Sequence, residues 1–119
     1  MFSFRWHDRG TALLALSGVG LISVNAWRHD VLTMTVEHVP GGASSIHRHN
    51  AHAFVYVLEG SVVMQLKGGE QVTLTPGQTF YEGPDDVHLV DRNASSTEPA
   101  KFLVVLIKNK GAPALVPVQ

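Results

Sequence analysis

Residues 41–60 read GGASSIHRHNAHAFVYVLEG, and this stretch decides the fold class. It opens on the break Pro40-Gly41-Gly42, carries His47 and His49 in its middle, and closes on the apolar run Phe54–Leu58 followed by Glu59-Gly60. On extended chain successive side chains alternate faces, so His47 and His49 point the same way, with roughly 6–7 Å between their Cα atoms. Two imidazoles converging from one side can hold one metal ion through bonds of about 2.0–2.1 Å. Solvent-facing loop residues beside Arg48 and Asn50 would show the same spacing, so the pair alone does not decide its role. The run Phe54–Leu58, apolar without interruption, predicts a strand covered on both faces.

The flanks repeat the pattern of short strands and turns. Val31–Val39 alternates, with Leu32, Met34, Val36 and His38 on one face and Thr33, Thr35 and Glu37 on the other. That period of two predicts a half-buried strand and makes His38 a core or pocket-wall residue. Ser61–Leu66 alternates with Val62, Met64 and Leu66 inward, Lys67–Glu70 supplies a Gly-Gly hairpin, and Gln71–Thr75 returns. Pro76-Gly77 turns the chain into Thr79–Glu82, Gly83–Asp86 turns it again into Val87–Asp91, and Lys101–Lys108 is the last strong strand. Strands this short, spaced this evenly, predict an antiparallel sandwich or barrel. The tail 111–119, with Pro113 and Pro117, is excluded from any central strand and is expected along a surface or a partner subunit.

Composition narrows the chemistry. A chain of 119 residues supports one domain. Its formal charge of −1 argues against a nucleic-acid-binding surface or an anionic membrane surface. No cysteine is present, which removes disulfides, thiol nucleophiles and sulfur-ligated metal sites. Any site must use nitrogen and oxygen ligands, and four of the seven histidines (His38, His47, His49, His52) fall within fifteen residues.

The N-terminal segment 1–29 is read as an extra strand or, alternatively, as a leader peptide. Arg5 and Arg9 precede a mostly apolar run, and Val24-Asn25-Ala26 is a small-residue pattern that signal peptidase could accept. Asp8, Ser17, Gly18, Gly20 and Ser23 interrupt that signature, so a cytoplasmic location is expected, with export to a periplasm as the alternative. The apolar stretch falls short of the ~18–20 residues that span a bilayer.

The stretch 41–60 resembles the first motif of the cupin superfamily, G-x5-H-x-H-x3-E-x6-G, with Gly41, His47, His49 and Gly60 in place and Ala53 where the motif has its acid. Residues 77–88 resemble the second motif, G-x5-P-x-G-x2-H-x3-N, through Gly77 and His88; Gly83, Asp85 and Arg92 stand at its Pro, Gly and Asn positions. The resemblance covers roughly residues 30–108. It implies an all-β double-stranded β-helix, or jelly-roll barrel, over 30–110. It also implies metal ligands at His47, His49 and His88, and a homodimer. Three neutral imidazoles suit Fe, Mn, Co, Ni, Cu or Zn as the divalent ion, without choosing among them.

Two residues are candidates for the role left open at Ala53. His52 would face inward only if a bulge in Asn50-Ala51-His52 rotated it, and is otherwise a rim residue. Glu82, at the end of the strand that leads to His88, reads either as a solvated strand-end acid or as a general base or metal ligand. Two functions follow. One is a metal-dependent dioxygenase or lyase/isomerase acting on a small organic molecule. The other is a non-catalytic ligand- or metal-sensing module, which the missing acid favours. A third reading is a barrel without metal.

Overall fold

The computed structural model describes residues 28–119 throughout and, before them, the backbone of three strands, β1 (Phe2–Asp8), β2 (Thr11–Leu13) and β3 (Gly20–Ile22). The leader-peptide reading of residues 1–26 lies outside the described side chains. β4 (His29–His38) follows, its burial alternating residue by residue as its sequence does. It pairs antiparallel along its whole length with β11 (Ala100–Asn109), which pairs on its other edge with β6 (Ala51–Glu59), and β9 (Thr79–Glu82) closes that side. On its far edge β4 takes β1 as a parallel partner and β3 as an antiparallel one. The large sheet thus runs β2-β1-β4-β11-β6-β9, and β1 is the exception to its antiparallel order.

A smaller sheet faces it. Its order is β12 (Val116–Pro117), β5 (His47–Arg48), β10 (His88–Asn93), β7 (Val62–Leu66) and β8 (Val72–Leu74). Leu32, Met34, Val55, Phe102 and Leu106 from the large sheet meet Val62 and Met64 from the small one, so the core is the layer between two inner faces. This is the all-β sandwiched barrel that the short, evenly spaced strands predict. Among the described residues no helix is long and apolar enough to cross a membrane.

Two expectations change. The run Phe54–Leu58 is covered on one face only: Val55 and Val57 are buried, while Phe54 and Tyr56 are 46% and 45% exposed. Uniform hydrophobicity had masked the period of two, because here the outer face of the sheet is apolar as well. The tail does not simply lie on a surface either. Val116 and Pro117 pair with Arg48 and His47 as the edge strand of the small sheet, a position that tolerates the missing proline N–H.

Gly60 shows why a motif glycine stands at the end of β6. Its φ is +69°, and a Cβ there would run into the Pro99 carbonyl oxygen and Ala100, so only glycine fits the turn. Asn93, although it begins an Asn-Ala-Ser sequon, is buried. Its side-chain amide lies within hydrogen-bond distance of the His38, Val39 and Glu98 carbonyls.

Candidate metal centre

β5 is only two residues long, and its position comes from both neighbours: His47 is opposite His88 of β10 on one side and Pro117 of β12 on the other. His47 and His49 are buried and Arg48 between them is exposed, as period-two geometry requires. Asn50 takes the left-handed conformation, φ 50°, at the turn into β6, a backbone state asparagine tolerates better than most residues. The alternation continues without a slip through Ala51 and Ala53, which leaves His52 on the outside. There its Nδ1 lies 2.7 Å from the Tyr81 hydroxyl, and the two rings stack. The bulge that would have made His52 a ligand is not formed, and it does not join the cluster.

Glu82 does. It is the last residue of β9 and stands directly opposite Ala53 in the β6–β9 ladder. Opposed residues on one face of an antiparallel pair have Cβ atoms about 4.5–5.5 Å apart, so a carboxylate from either strand reaches the same space. The methyl group of Ala53 leaves that space to Glu82. The acid lacking at position 53 is therefore present across the ladder, with Oε1 3.0 Å from His49 Nε2 and Oε2 2.8 Å from His88 Nδ1. The His47 ring lies 4.9 Å from that of His49 and 5.0 Å from that of His88, centre to centre.

The outer nitrogens of two rings are fixed by carbonyls. His47 Nδ1 lies 2.8 Å from the Ser45 oxygen, and His49 Nδ1 bonds the Ala114 oxygen of the tail. A carbonyl only accepts, so each Nδ1 carries the proton and each Nε2 keeps its lone pair for the interior. Burial pushes the His47 pKa down, which keeps that ring neutral. Burial also pushes His88 down, but the contact with Glu82 and the charge of Asp91 raise it by more. Burial would raise the Glu82 carboxyl; the His49 and His88 rings beside it prevail and hold it at about 2.

Despite their short distances, the contacts of Glu82 with the two rings are not aligned as hydrogen bonds. Both Glu82 oxygens and His88 Nε2 are buried with no hydrogen-bond partner. Buried polar atoms are rarely left so, and the donor set of imidazoles and a carboxylate is that of a transition-metal site. One ligand atom from each of His47, His49 and Glu82 lies within 4.8 Å of the others, and the same holds for His47, His88 and Asp91. The residues present fit a divalent ion.

Asp91 is the residue that sequence reading missed. Its Oδ1 accepts from His38 Nε2 at 2.8 Å and its Oδ2 from Ser44 Oγ at 2.6 Å. Burial would raise its pKa, but the adjacent His38 ring overrides that and keeps it well below the ordinary carboxylate range. Asp91 is three positions on from His88, so a regular strand would put them on opposite faces. The register shifts between His88 and Val90, and this irregularity turns both inward. The cavity that results is bounded by Ser44, His47, His49, Glu82, His88 and Asp91 against an apolar wall that includes Phe102 and the tail residue Leu115. Its free space is about 30 Å³, and one water needs about 10–15 Å³ of such space. Of the aromatic residues considered as pocket walls, Phe80 stacks on His88, while Phe54 and Tyr56 face out.

Comparison with known proteins agrees with this architecture. No curated protein matches the sequence. A double-stranded β-helix protein of Klebsiella pneumoniae subsp. pneumoniae shares the fold at 19% identity, TM-score 0.60, over 85% of this chain and 83% of that one. The DMSP lyase DddQ of Ruegeria pomeroyi shares it at 21% identity, TM-score 0.58, over 76% of this chain. The polyketide cyclase RemF of Streptomyces resistomycificus does so at 25% identity, TM-score 0.54, over 80%. The chain spans 42% of the length of DddQ and 63% of that of RemF. The Cupin domain family matches residues 34–106, well over half of the sequence and both histidine motifs, and the chain belongs to the cupin family.

Proposed function

We propose that the protein holds one divalent transition-metal ion through His47, His49, His88 and Glu82 and acts on a small organic molecule bound beside it. The observation that carries this reading is the set of buried, unpartnered atoms on Glu82 and His88, facing a neutral His47. Of the two roles open to Glu82, the position opposite Ala53 supports ligand over general base. A bound ion would supply Lewis acidity toward a substrate oxygen. The Ser45 and Ala114 carbonyls orient the rings, and the apolar wall excludes water. Lyase, isomerase or dioxygenase chemistry on an oxygen-bearing substrate fits this arrangement, and relatives of the fold include a lyase and a cyclase.

Elemental analysis of the protein purified without metal-chelating resin tests the site. About one ion per chain is expected in the wild type and much less in His88→Ala and Glu82→Gln; metal-free wild-type protein that also fails to take up added Fe(II), Co(II) or Zn(II) would overturn the reading. Turnover is then sought across oxo-acids, diketones and flavonols. A second reading is a ligand- or metal-sensing module without catalysis, in which the same centre binds but does not turn over. A silent panel together with tight ligand binding would select it.

We also propose that the protein forms a homodimer through the outer face of the large sheet, where Phe54, Tyr56, Leu58, Tyr81 and Ile107 are exposed together. Light scattering is expected to give twice the chain mass for the wild type and the monomer mass for Tyr56→Glu. A monomeric wild type would refute it.

A further inference from the structure

Asp91 is buried at the inner wall of the cavity, with a carboxylate oxygen within 4.8 Å of the ligand atoms of His47 and His88. Each of its oxygens is tied once, to His38 Nε2 and to Ser44 Oγ. An ionised carboxylate offers about four acceptor positions and no donor, so capacity for two more hydrogen bonds remains. The Ser44 proton is already directed at Asp91, so Ser44 brings no further donor to the cavity. The rest of the lining, apart from the four ligand candidates, is Met34, Val36, Val55, Phe102, Val104 and Leu115, all hydrocarbon or thioether. Apart from the four ligand candidates, whose His88 ring carries one N–H, the described lining of the cavity therefore accepts and does not donate.

We propose that Asp91 sets substrate class: it accepts a hydrogen bond from a ligand held at the metal position. The site then takes small molecules that present an O–H or N–H beside their metal-ligating oxygen, such as a hydroxy-ketone, enol or hydroxamic acid, and disfavours those that present only acceptors, such as a dicarboxylate. A second carboxylate at this depth would meet Asp91 as a like charge in a water-poor space, where repulsion is strongest. His38 and Ser44 are positioning residues in this scheme, since they aim Asp91 without reaching the ligand. The inference rests on the metal reading above.

The test uses cobalt(II) as a visible reporter. The Co(II)-loaded protein is titrated with acetohydroxamate, which keeps an N–H beside its chelating oxygens, and with oxalate, which has acceptors only. Shifts in the cobalt absorption bands give both dissociation constants. The ratio of the oxalate constant to the acetohydroxamate constant is expected to fall about tenfold in Asp91→Asn, the size of one hydrogen bond to a charged group. A ratio that moves less than twofold in Asp91→Asn with cobalt bound would overturn the proposal. So would a loss of cobalt affinity of a hundredfold or more with an unchanged ratio, which would make Asp91 a ligand instead. If Asp91→Asn fails to fold, Ser44→Ala serves: freeing Oδ2 is expected to hold or widen the wild-type ratio, and a fall would count against the proposal. Failure of the wild type to bind cobalt at all would overturn the metal reading, and this inference with it.

Discussion

Glu82 and Asp91 are two buried carboxylates set among the same histidines, and they differ in what holds them. Each oxygen of Asp91 accepts a well-formed hydrogen bond, from His38 at 2.8 Å and Ser44 at 2.6 Å. Neither oxygen of Glu82 does, although His49 and His88 lie at 3.0 and 2.8 Å. The first carboxylate is engaged at both oxygens within the fold. The second is incomplete without something between its atoms. Two buried acids can thus be assigned different work, one as a fixed wall and one as a ligand, because buried polar atoms are costly to leave unpaired.

The largest effect should come from breaking the complete group. Asp91→Ala strands the His38 Nε2–H in the core, frees the half-buried Ser44 hydroxyl and is expected to lower stability by about 3 kcal/mol or more. Urea unfolding of the metal-free protein measures it. A loss below about 1 kcal/mol would show that Asp91 is no more firmly integrated than Glu82, and the contrast would fail.

Breaking the incomplete group should show in metal affinity. Glu82→Gln removes the anionic ligand but keeps the shape, and affinity measured against a competing chelator is expected to fall more than about 100-fold, beyond the range for an outer-shell partner. A fall of tenfold or less would place Glu82 outside the ligand set.

The contrast also explains what could be read from the sequence. His47, His49 and His88 were legible because two-residue alternation and motif spacing are local. The two-sheet fold was legible for the same reason. Glu82 is a candidate from its place before His88, but the choice between its roles depends on β6–β9 register, which pairs it with Ala53 across 29 positions and is not local. Asp91 depends on a register shift next to His88, which turns a residue of the wrong parity inward. The exposure of Phe54 and Tyr56 could not be seen because an apolar outer face and a buried one have the same composition. The tail's place over the site rests mainly on main-chain contacts, the β12–β5 pairing, the Val118 N–H to the Ile46 oxygen and the Ala114 carbonyl, which any sequence supplies.

The pH dependence separates the two groups more finely. A ligand histidine must be neutral. His47, pushed down by burial, already is; His88, raised by Glu82 and Asp91, stays protonated above 6.5 in the metal-free protein. Metal affinity of the wild type should therefore climb as pH rises through the elevated His88 value. In Glu82→Gln the climb should move to lower pH, since one of the two raising partners is gone. The metal-free fold has the opposite trend: the raised His88 contributes stability that is full below 6.5 and lost as pH rises through its folded value. Glu82 contributes stability above 4.5 that is lost as pH falls toward about 2. A titration in which metal affinity is flat above pH 6.5 would show that His88 is not held by Glu82.

The smallest effect expected concerns the tail. Truncation after Ala112 removes the Ala114 carbonyl that fixes His49 and the edge strand beside His47, and it spares the Gly111 N–H bond to Asp30. The core cluster draws on the tail only through partly buried Ala114, so the fold should persist. Metal affinity should drop about tenfold, the lower end for losing a group that orients a ligand, because His49 can then turn its ring or carry its proton on Nε2. The two side-chain hydrogen bonds of the Asp91 group do not involve the tail, so unfolding of the metal-free protein should change by less than about 1 kcal/mol. If truncation lowered stability as much as Asp91→Ala while leaving affinity unchanged, the tail would belong to the scaffold. His49 would then be aimed by β5 alone.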